Sequence, residues 1–186
     1  MTTQYYTATS IDGFIADADH SLDWLLQLDD PEAAELQQEY PRFLADVGAL
    51  AMGSTTYQWL ADHTGFLTDP ATWEYTLPTW VFSSRELPVP AGLDIRLVSG
   101  DVRPVHAAMV EAAAGQNVWL VGGGELVGQF HDAGLLDEVI LGMASVVLGS
   151  GAPLLPRRIT TPPLELTEVR RYGSTFVTLR YRVPHG

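Results

Sequence analysis

Short apolar, β-branched runs recur along this chain between stretches with helical spacing, the alternation of an α/β protein. Tyr5–Thr9 reads as a first strand, ending at the turn Ser10-Ile11-Asp12-Gly13. Asp30-Pro31-Glu32 has the chemistry of a helix start: an N-cap, a proline at the first helical position and an acid in the first turn. That helix is expected to run to about Leu44. Ala49–Met52 reads as a buried strand, and Gly53-Ser54-Thr55-Thr56 opens a second helix through Trp59. Residues 61–78 hold Pro70 and Pro78 without a clean period and read as loop. Thr79–Phe82 is the next strand, followed by Ser83-Ser84-Arg85 and a turn over 88–92. Ile95–Val98 is a strand, Val105–Ala114 a helix, and Val118–Val121 a strand running into Gly122-Gly123-Gly124. Glu125–Asp132 makes the next helix. The pattern then changes to three strands with no helix between them: Glu138–Leu148, Leu164–Arg171 and Thr175–Val183. Tyr172-Gly173-Ser174 is the hairpin turn joining the last two. A parallel body with antiparallel C-terminal strands is the expected architecture, in one domain over 1–186.

Composition narrows the function classes. The 186 residues are 46% hydrophobic, enough for a substantial core, and no cysteine is present to form disulfides or thiolate metal sites. Ten basic against 23 acidic residues give a net charge of −13, which repels phosphate backbones and anionic lipids. Nucleic acid and membrane partners are therefore not expected. Every basic residue is arginine, so mechanisms needing a Schiff-base or P-loop lysine are excluded. No apolar run reaches the roughly 18 residues that span a bilayer, and Met1–Tyr6 lacks the pattern of a secretory leader. A cytoplasmic protein acting on a small molecule is the expectation.

Three strand ends carry groups suited to anions. The strongest is Val118–Val127, in which a buried strand feeds three glycines that open a helix. One glycine there would serve a tight turn; three in succession suit close approach of a phosphate to backbone N–H groups and a helix dipole. Met52-Gly53-Ser54-Thr55-Thr56-Tyr57 repeats the strand, glycine, hydroxyl, helix order. Ser83-Ser84-Arg85 offers hydroxyls and a guanidinium at a third strand end. Open α/β sheets bind ligands beyond the carboxyl ends of their strands, so the three motifs are expected to share one crevice.

In this order and spacing the motifs resemble the dihydrofolate reductase–like family. Ser10-Ile11-Asp12-Gly13-Phe14-Ile15-Ala16 is similar to the first-strand motif of one branch of it, the C-terminal reductase domain of bacterial riboflavin-biosynthesis (RibD) enzymes. The resemblance covers nearly the whole chain. It implies a three-layer α/β fold with a mixed central sheet, helices on both faces and antiparallel C-terminal strands. It also implies NADPH as cofactor, with NADH as the alternative. Carried over, Gly53, Ser54, Thr55 and Thr56 face the cofactor phosphates, and Ser83, Ser84 and Arg85 face the adenosine ribose and its 2′-phosphate. Gly122, Gly123, Gly124, Glu125 and Leu126 meet the pyrophosphate and nicotinamide side, while Ile15 and Ala16 lie against the nicotinamide ring. The resemblance further implies a cis peptide bond at Gly122–Gly123. Ser54 and Glu125 stand where relatives often have basic residues, which leaves Arg85 to favour NADPH over NADH.

The implied reaction is hydride transfer to a small heterocycle, pteridine- or pyrimidine-like. No arginine lies between Phe43 and Ser84, where dihydrofolate reductases clamp a carboxylate, so dihydrofolate itself is not the expected substrate. Phe14 replaces the basic residue that pyrimidine reductases carry after their Asp-Gly. Asp29, five residues after Trp24, and Asp12 are the candidate proton donors. His20, His63, His106 and His131 show no metal-ligand spacing, and the five tryptophans read as core, Trp24 and Trp73 also as pocket wall. Two other readings stand beside this one: a nucleotide-binding protein of the same fold without turnover, and a short-chain dehydrogenase. The latter needs a Tyr-x-x-x-Lys pair that a chain without lysine cannot supply. Thr175–Val183 alternates, with Phe176 on one face and Val177, Leu179, Tyr181 and Val183 on the other. A homodimer through this region is expected, with Arg180 and Arg182 either solvated or paired with acids across a two-fold axis.

Overall fold

The computed structural model describes residues 1–28, 30 and 35–185. Among the described residues the strands are β1 (Thr3–Thr9), β2 (Phe14–Ala16), β3 (Val47–Gly53), β4 (Thr79–Phe82), β5 (Ile95–Val98), β6 (Asn117–Gly122), β7 (Glu138–Ala144), β8 (Ala152–Pro153), β9 (Glu165–Tyr172) and β10 (Phe176–Arg182). The α-helices among the described residues are α1 (Asp23–Leu26), α2 (Leu36–Ala45), α3 (Ser54–Thr64), α4 (Val102–Ala112) and α5 (Gly124–Asp132). Eight strands form one sheet in the order β5-β4-β3-β6-β1-β7-β10-β9, and β2 pairs with β8. All pairings from β5 to β7 are parallel; β7–β10 and β10–β9 are antiparallel.

The parallel centre is apolar on both faces because helices cover both. Tyr5, Ala49, Ala51, Leu120 and Val139 pack with Met109 of α4 and Phe130 of α5. Alternate residues Leu50, Met52, Val81 and Trp119 pack with Tyr57 and Leu60 of α3 on the other face, where Phe43 and Leu44 of α2 also lie. Each such fully buried large side chain contributes about 1.5–3 kcal/mol of transfer free energy.

Several boundaries differ from expectation for identifiable reasons. The second helix continues past Trp59 to Thr64 and stops at Gly65, whose φ of 74° supplies the left-handed C-cap. The expected loop over 61–78 therefore begins later, and it contains a 3-10 turn at Pro70–Thr72. The fourth helix starts at Val102 instead of Val105, because the Asp101 carboxylate accepts from the Arg103 N–H and Pro104 is tolerated in a first turn. The N-cap of α2 is Glu35, so Asp30 does not cap that helix; Pro31 and Glu32 lie outside the described residues. Strand β7 ends at Ala144, short of Leu148, since the Leu148 and Gly149 N–H groups turn to the Asp12 carboxylate. The β2–β8 pair was too short to read. It needs Gly151, at φ 151°, where a side chain would collide with the Ala16 carbonyl.

Candidate functional site

Strands β3 and β6 are neighbours, yet the helices that follow them go to opposite faces of the sheet. Their carboxyl ends therefore open a crevice, the topological switch point at which α/β sheets bind ligands. The two glycine motifs meet there. A Cβ on Gly122 would lie 3.5 Å from Thr56 Oγ1, and one on Gly53 would lie 3.9 Å from the Gly122 carbonyl oxygen. The crevice deepens into a cavity of about 860 Å³. Helix α3 presents Thr55, Thr56, Trp59, Leu60 and His63 to it along one face, at the i, i+4 spacing of a helical stripe. Ile15 and Ala16 of β2, Phe176 of β10, leucines of the α1 region and the turn Gly122–Glu125 complete the wall.

The three glycines do different jobs. Nothing lies within 4 Å of a Cβ built on Gly123, so this residue is bare on the cavity side. Gly124 is sterically required: a Cβ there would collide with the carbonyl oxygens of Pro153 and Leu154. The first α5 bond runs from the Val127 N–H to the Gly123 carbonyl at 3.2 Å. The amides of Gly124, Glu125 and Leu126 precede it and are orphan donors, as at any helix start. Leu126 contributes through that amide alone, because its side chain is core. The Gly122–Gly123 bond is trans, against the expectation of a cis bond; among the described residues the cis bond is Thr161–Pro162.

Glu125 is not a bare charge beside these amides. Arg157 Nη2 donates to Glu125 Oε1 at 2.8 Å, Nη1 to Oε2 at 2.9 Å, and Nε to Asp132 Oδ2 at 2.7 Å. The guanidinium holds both carboxylates below the usual range. It crosses α5 over Gly128, where any Cβ would strike it. Arg157 gave no signal in the sequence, being 32 residues from Glu125.

The remaining expected residues divide. Ser83, Ser84 and Arg85 follow Phe82, which pairs with Gly53, so they occupy the adjoining strand end but do not line the cavity. Ser83 Oγ accepts from the Arg85 N–H at 3.1 Å and donates to the Arg85 carbonyl at 2.7 Å, closing a turn that leaves the Arg85 side chain exposed. Ser54 and Gly53 border the crevice without lining the cavity. Asp12 is outside the wall. Its carboxylate accepts from Ser10 Oγ at 2.6 Å, Leu148 N–H at 3.1 Å and Gly149 N–H at 2.7 Å, and the Ser10 bond above all keeps its pKa low. In this position the Asp12 carboxylate holds the turn to residues 148–149. Asp29 lies outside the described residues. Trp24 and Trp73 do not line the cavity; Trp59 and Trp119 do, with His63 stacked on Trp59 at 4.6 Å.

Polar groups missed by sequence reasoning lie on the α2 side. Tyr6, Tyr40 and Tyr75 face the cavity with Glu74. Burial pushes the Tyr6 hydroxyl up to about 12 and raises Tyr40 and Tyr75 as well, with the Glu74 charge adding to the latter two. These hydroxyls stay protonated in the neutral range and act as hydrogen-bond donors. Asp30 Oδ2 also reaches the cavity rim, accepting from the Ser174 N–H at 3.0 Å and Thr175 Oγ1 at 2.8 Å in the β9–β10 turn.

Comparison with known proteins agrees with this geometry. Uncharacterized protein YwjB of Bacillus subtilis (strain 168) is 30% identical over 186 residues, covering 96% of each chain. The crystal structure of a candidate riboflavin biosynthesis protein from Shewanella sp. PV-4 superposes with a TM-score of 0.80 at 26% identity, covering 99% of this chain and 100% of that one. The fold is shared at 14% identity with a diaminohydroxyphosphoribosylaminopyrimidine deaminase/5-amino-6-(5-phosphoribosylamino)uracil reductase from Thermotoga maritima. There the TM-score is 0.62, and the match covers 97% of this chain and 56% of that one. The RibD C-terminal domain profile matches residues 60–178. With the mixed sheet, the switch-point cavity and a full-length relative all in agreement, the chain belongs to the RibD C-terminal domain family.

Proposed function

We propose that this protein is an NAD(P)H-dependent reductase of a small planar heterocycle, pteridine- or pyrimidine-like, and not of dihydrofolate. The observation that carries the reading is the convergence of two helix N-termini, α3 after Gly53 and α5 after Gly123, on one switch-point cavity. Aligned peptide dipoles and orphan amides suit a pyrophosphate without any lysine. The residues fit such a group: Gly123 presents no side chain, Thr55 and Thr56 line the approach, and Arg157 cancels the Glu125 charge beside the amides. Arg85, one strand over, is the residue to meet a 2′-phosphate.

When bound, the dihydronicotinamide supplies the hydride, and the reduced ring takes up one proton to balance it. This chain's own residues do the rest. Ile15 and Ala16 form the wall against which the resemblance sets the nicotinamide ring. Trp59, Trp119 and Phe176 exclude water from the reacting face. The Tyr40 hydroxyl, which keeps its proton and is backed by Tyr75, is the donor that orients the substrate. Asp29 is the acid assigned to protonation.

Titration of NADPH and NADH against intrinsic tryptophan fluorescence tests the cofactor, since Trp59 and Trp119 stand in the cavity wall. Anaerobic turnover of a heterocycle panel, followed by loss of reduced-nicotinamide absorbance, tests the reaction. Absence of dinucleotide binding overturns the reading. Binding without turnover supports the second reading, a nucleotide-binding protein on the same scaffold, which the engagement of Asp12 in a turn favours.

A further inference from the structure

The cavity wall contains no arginine. The residues outside the description, Asp29, Pro31–Ala34 and Gly186, include no basic residue either. Elsewhere seven of the ten guanidinium groups are committed to carboxylates. Arg157 holds Glu125 and Asp132; Arg180 holds Glu138; Arg170 holds Glu168; Arg96, Arg103 and Arg182 hold Asp94, Asp101 and Glu165. Arg42 pairs with Glu39 on a separate, smaller cavity. Arg85, Arg158 and Arg171 do not line the main cavity. Its wall instead carries the carboxylates of Glu74, of Asp30, which holds the β9–β10 turn, and of the ion-paired Glu125, together with the imidazoles of His20 and His63 and the rings of Tyr6, Tyr40, Trp59, Tyr75, Trp119 and Phe176. Glu74 stands close enough to the Tyr40 and Tyr75 hydroxyls for its charge to raise the pKa of both.

Such a wall discriminates by charge. Once a dinucleotide takes the amides of the glycine turn, a further phosphate or carboxylate on the aromatic side of the cavity meets no arginine, and the Glu74 and Asp30 carboxylates repel it. A neutral heteroaromatic ring stacks on the same rings without that repulsion, and a protonated one gains cation–π attraction and a carboxylate partner. We propose that the substrate is a planar heteroaromatic compound carrying neither phosphate nor carboxylate, bound neutral or cationic against the aromatic wall with Glu74 facing its amino groups. The inference rests on reading this cavity as the substrate site, and departs from the phosphoribosylamino compound named for the Thermotoga relative.

Calorimetric titration of the full chain, with and without NADPH, tests it on one ring system in four charge states. The probes are 6-hydroxymethylpterin, its monophosphate, pterin-6-carboxylate and the readily protonated 2,4-diamino-6-methylpteridine. The neutral and diamino compounds are expected to bind at least about tenfold more tightly than the two anions. Glu74→Gln is expected to weaken the diamino compound about threefold to tenfold and leave the neutral pterin unchanged. With NADPH present, an anion that binds as tightly as 6-hydroxymethylpterin overturns the proposal, and so does failure of all four to bind. Failure of NADPH alone to bind overturns the dinucleotide reading instead, and the neutral and diamino compounds with Glu74→Gln still test the aromatic wall without it.

Discussion

Arg157 and Glu125 form a two-point ion pair, at 2.8 and 2.9 Å, at the start of the helix that follows the three glycines. The pair explains how an acidic residue can stand beside a turn that we propose binds phosphate. Removing the guanidinium leaves the Glu125 carboxylate uncompensated beside the orphan amides of Gly124–Leu126, while Asp132 loses its partner at the far end of α5. Arg157→Ala is expected to raise the NADPH dissociation constant about tenfold at low salt, less at high salt. Adding Glu125→Gln to that variant should restore most of the loss. Equal affinity in parent and Arg157→Ala removes this role.

The glycine triplet should separate under mutation. Gly123→Val places its side chain in open space, so the thermal midpoint should hold while dinucleotide binding disappears. Gly124→Ala meets two backbone carbonyls and should destabilise the fold by about 1–3 kcal/mol, the usual range for overpacking. Thermal melts and NADPH titrations on the same preparations check both. A Gly123→Val protein that binds NADPH like the parent overturns the cofactor assignment.

Arg85 is exposed at the strand end next to the crevice and makes no ion pair among the described residues. A charge-assisted hydrogen bond of about 1.5–3 kcal/mol corresponds to roughly a tenfold to hundredfold preference for NADPH over NADH. Arg85→Ala should collapse that ratio and spare NADH. Equal losses for both dinucleotides would make Arg85 a general contributor instead.

How far the sequence was legible follows from the range of each signal. Thr79–Phe82 and Ile95–Val98 were readable to the residue, because each is a short β-branched or apolar run bounded by turn residues. The end of α3 was not, since Trp59 broke the apolar pattern and the left-handed stop at Gly65 comes later. The glycine turns at Gly53 and Gly122 were legible as motifs, and their contact follows from the adjacency of β3 and β6. Long-range pairings carried no local trace. Gly128 lets Arg157 cross α5, a task that no local pattern shows. Tyr40, Glu74 and Tyr75 come from a helix and a patternless loop, and only the fold brings them to one wall.

The two candidate acids should behave oppositely. Asp12 has a folded pKa below its ordinary value, so its stabilising effect is present above the ordinary aspartate value of about 3.9 and is lost as pH falls through the folded value. Asp12→Ala should therefore lower the thermal midpoint at pH 7, and the gap to the parent should narrow as pH drops below about 4. Its turnover per folded molecule should not change. Asp29→Asn should leave stability and NADPH binding intact and lower kcat by about a hundredfold, the scale of a lost general acid. A reversal of these two patterns would return Asp12 to the chemistry.

The homodimer expected from the C-terminal strands takes a sharper form. Arg180 and Arg182 pair with Glu138 and Glu165 of their own chain, so salt bridges across a two-fold axis are not what these arginines serve. The edge strand on the C-terminal side of the sheet is β9, and its Leu166 and Val169 are 52% and 56% exposed. They stand opposite Tyr181 and Leu179 of β10, extending the face of the sheet that packs on α4 and α5. Two exposed apolar residues on an unpaired edge are an invitation to association that a lone strand would normally block with charge. We propose that a second copy covers this face, related by a two-fold axis. Light scattering at micromolar concentration should then give about twice the chain mass of 20.3 kDa. Leu166→Glu with Val169→Glu should return it to the single-chain value without loss of secondary structure. A parent protein that already scatters as one chain sinks the idea.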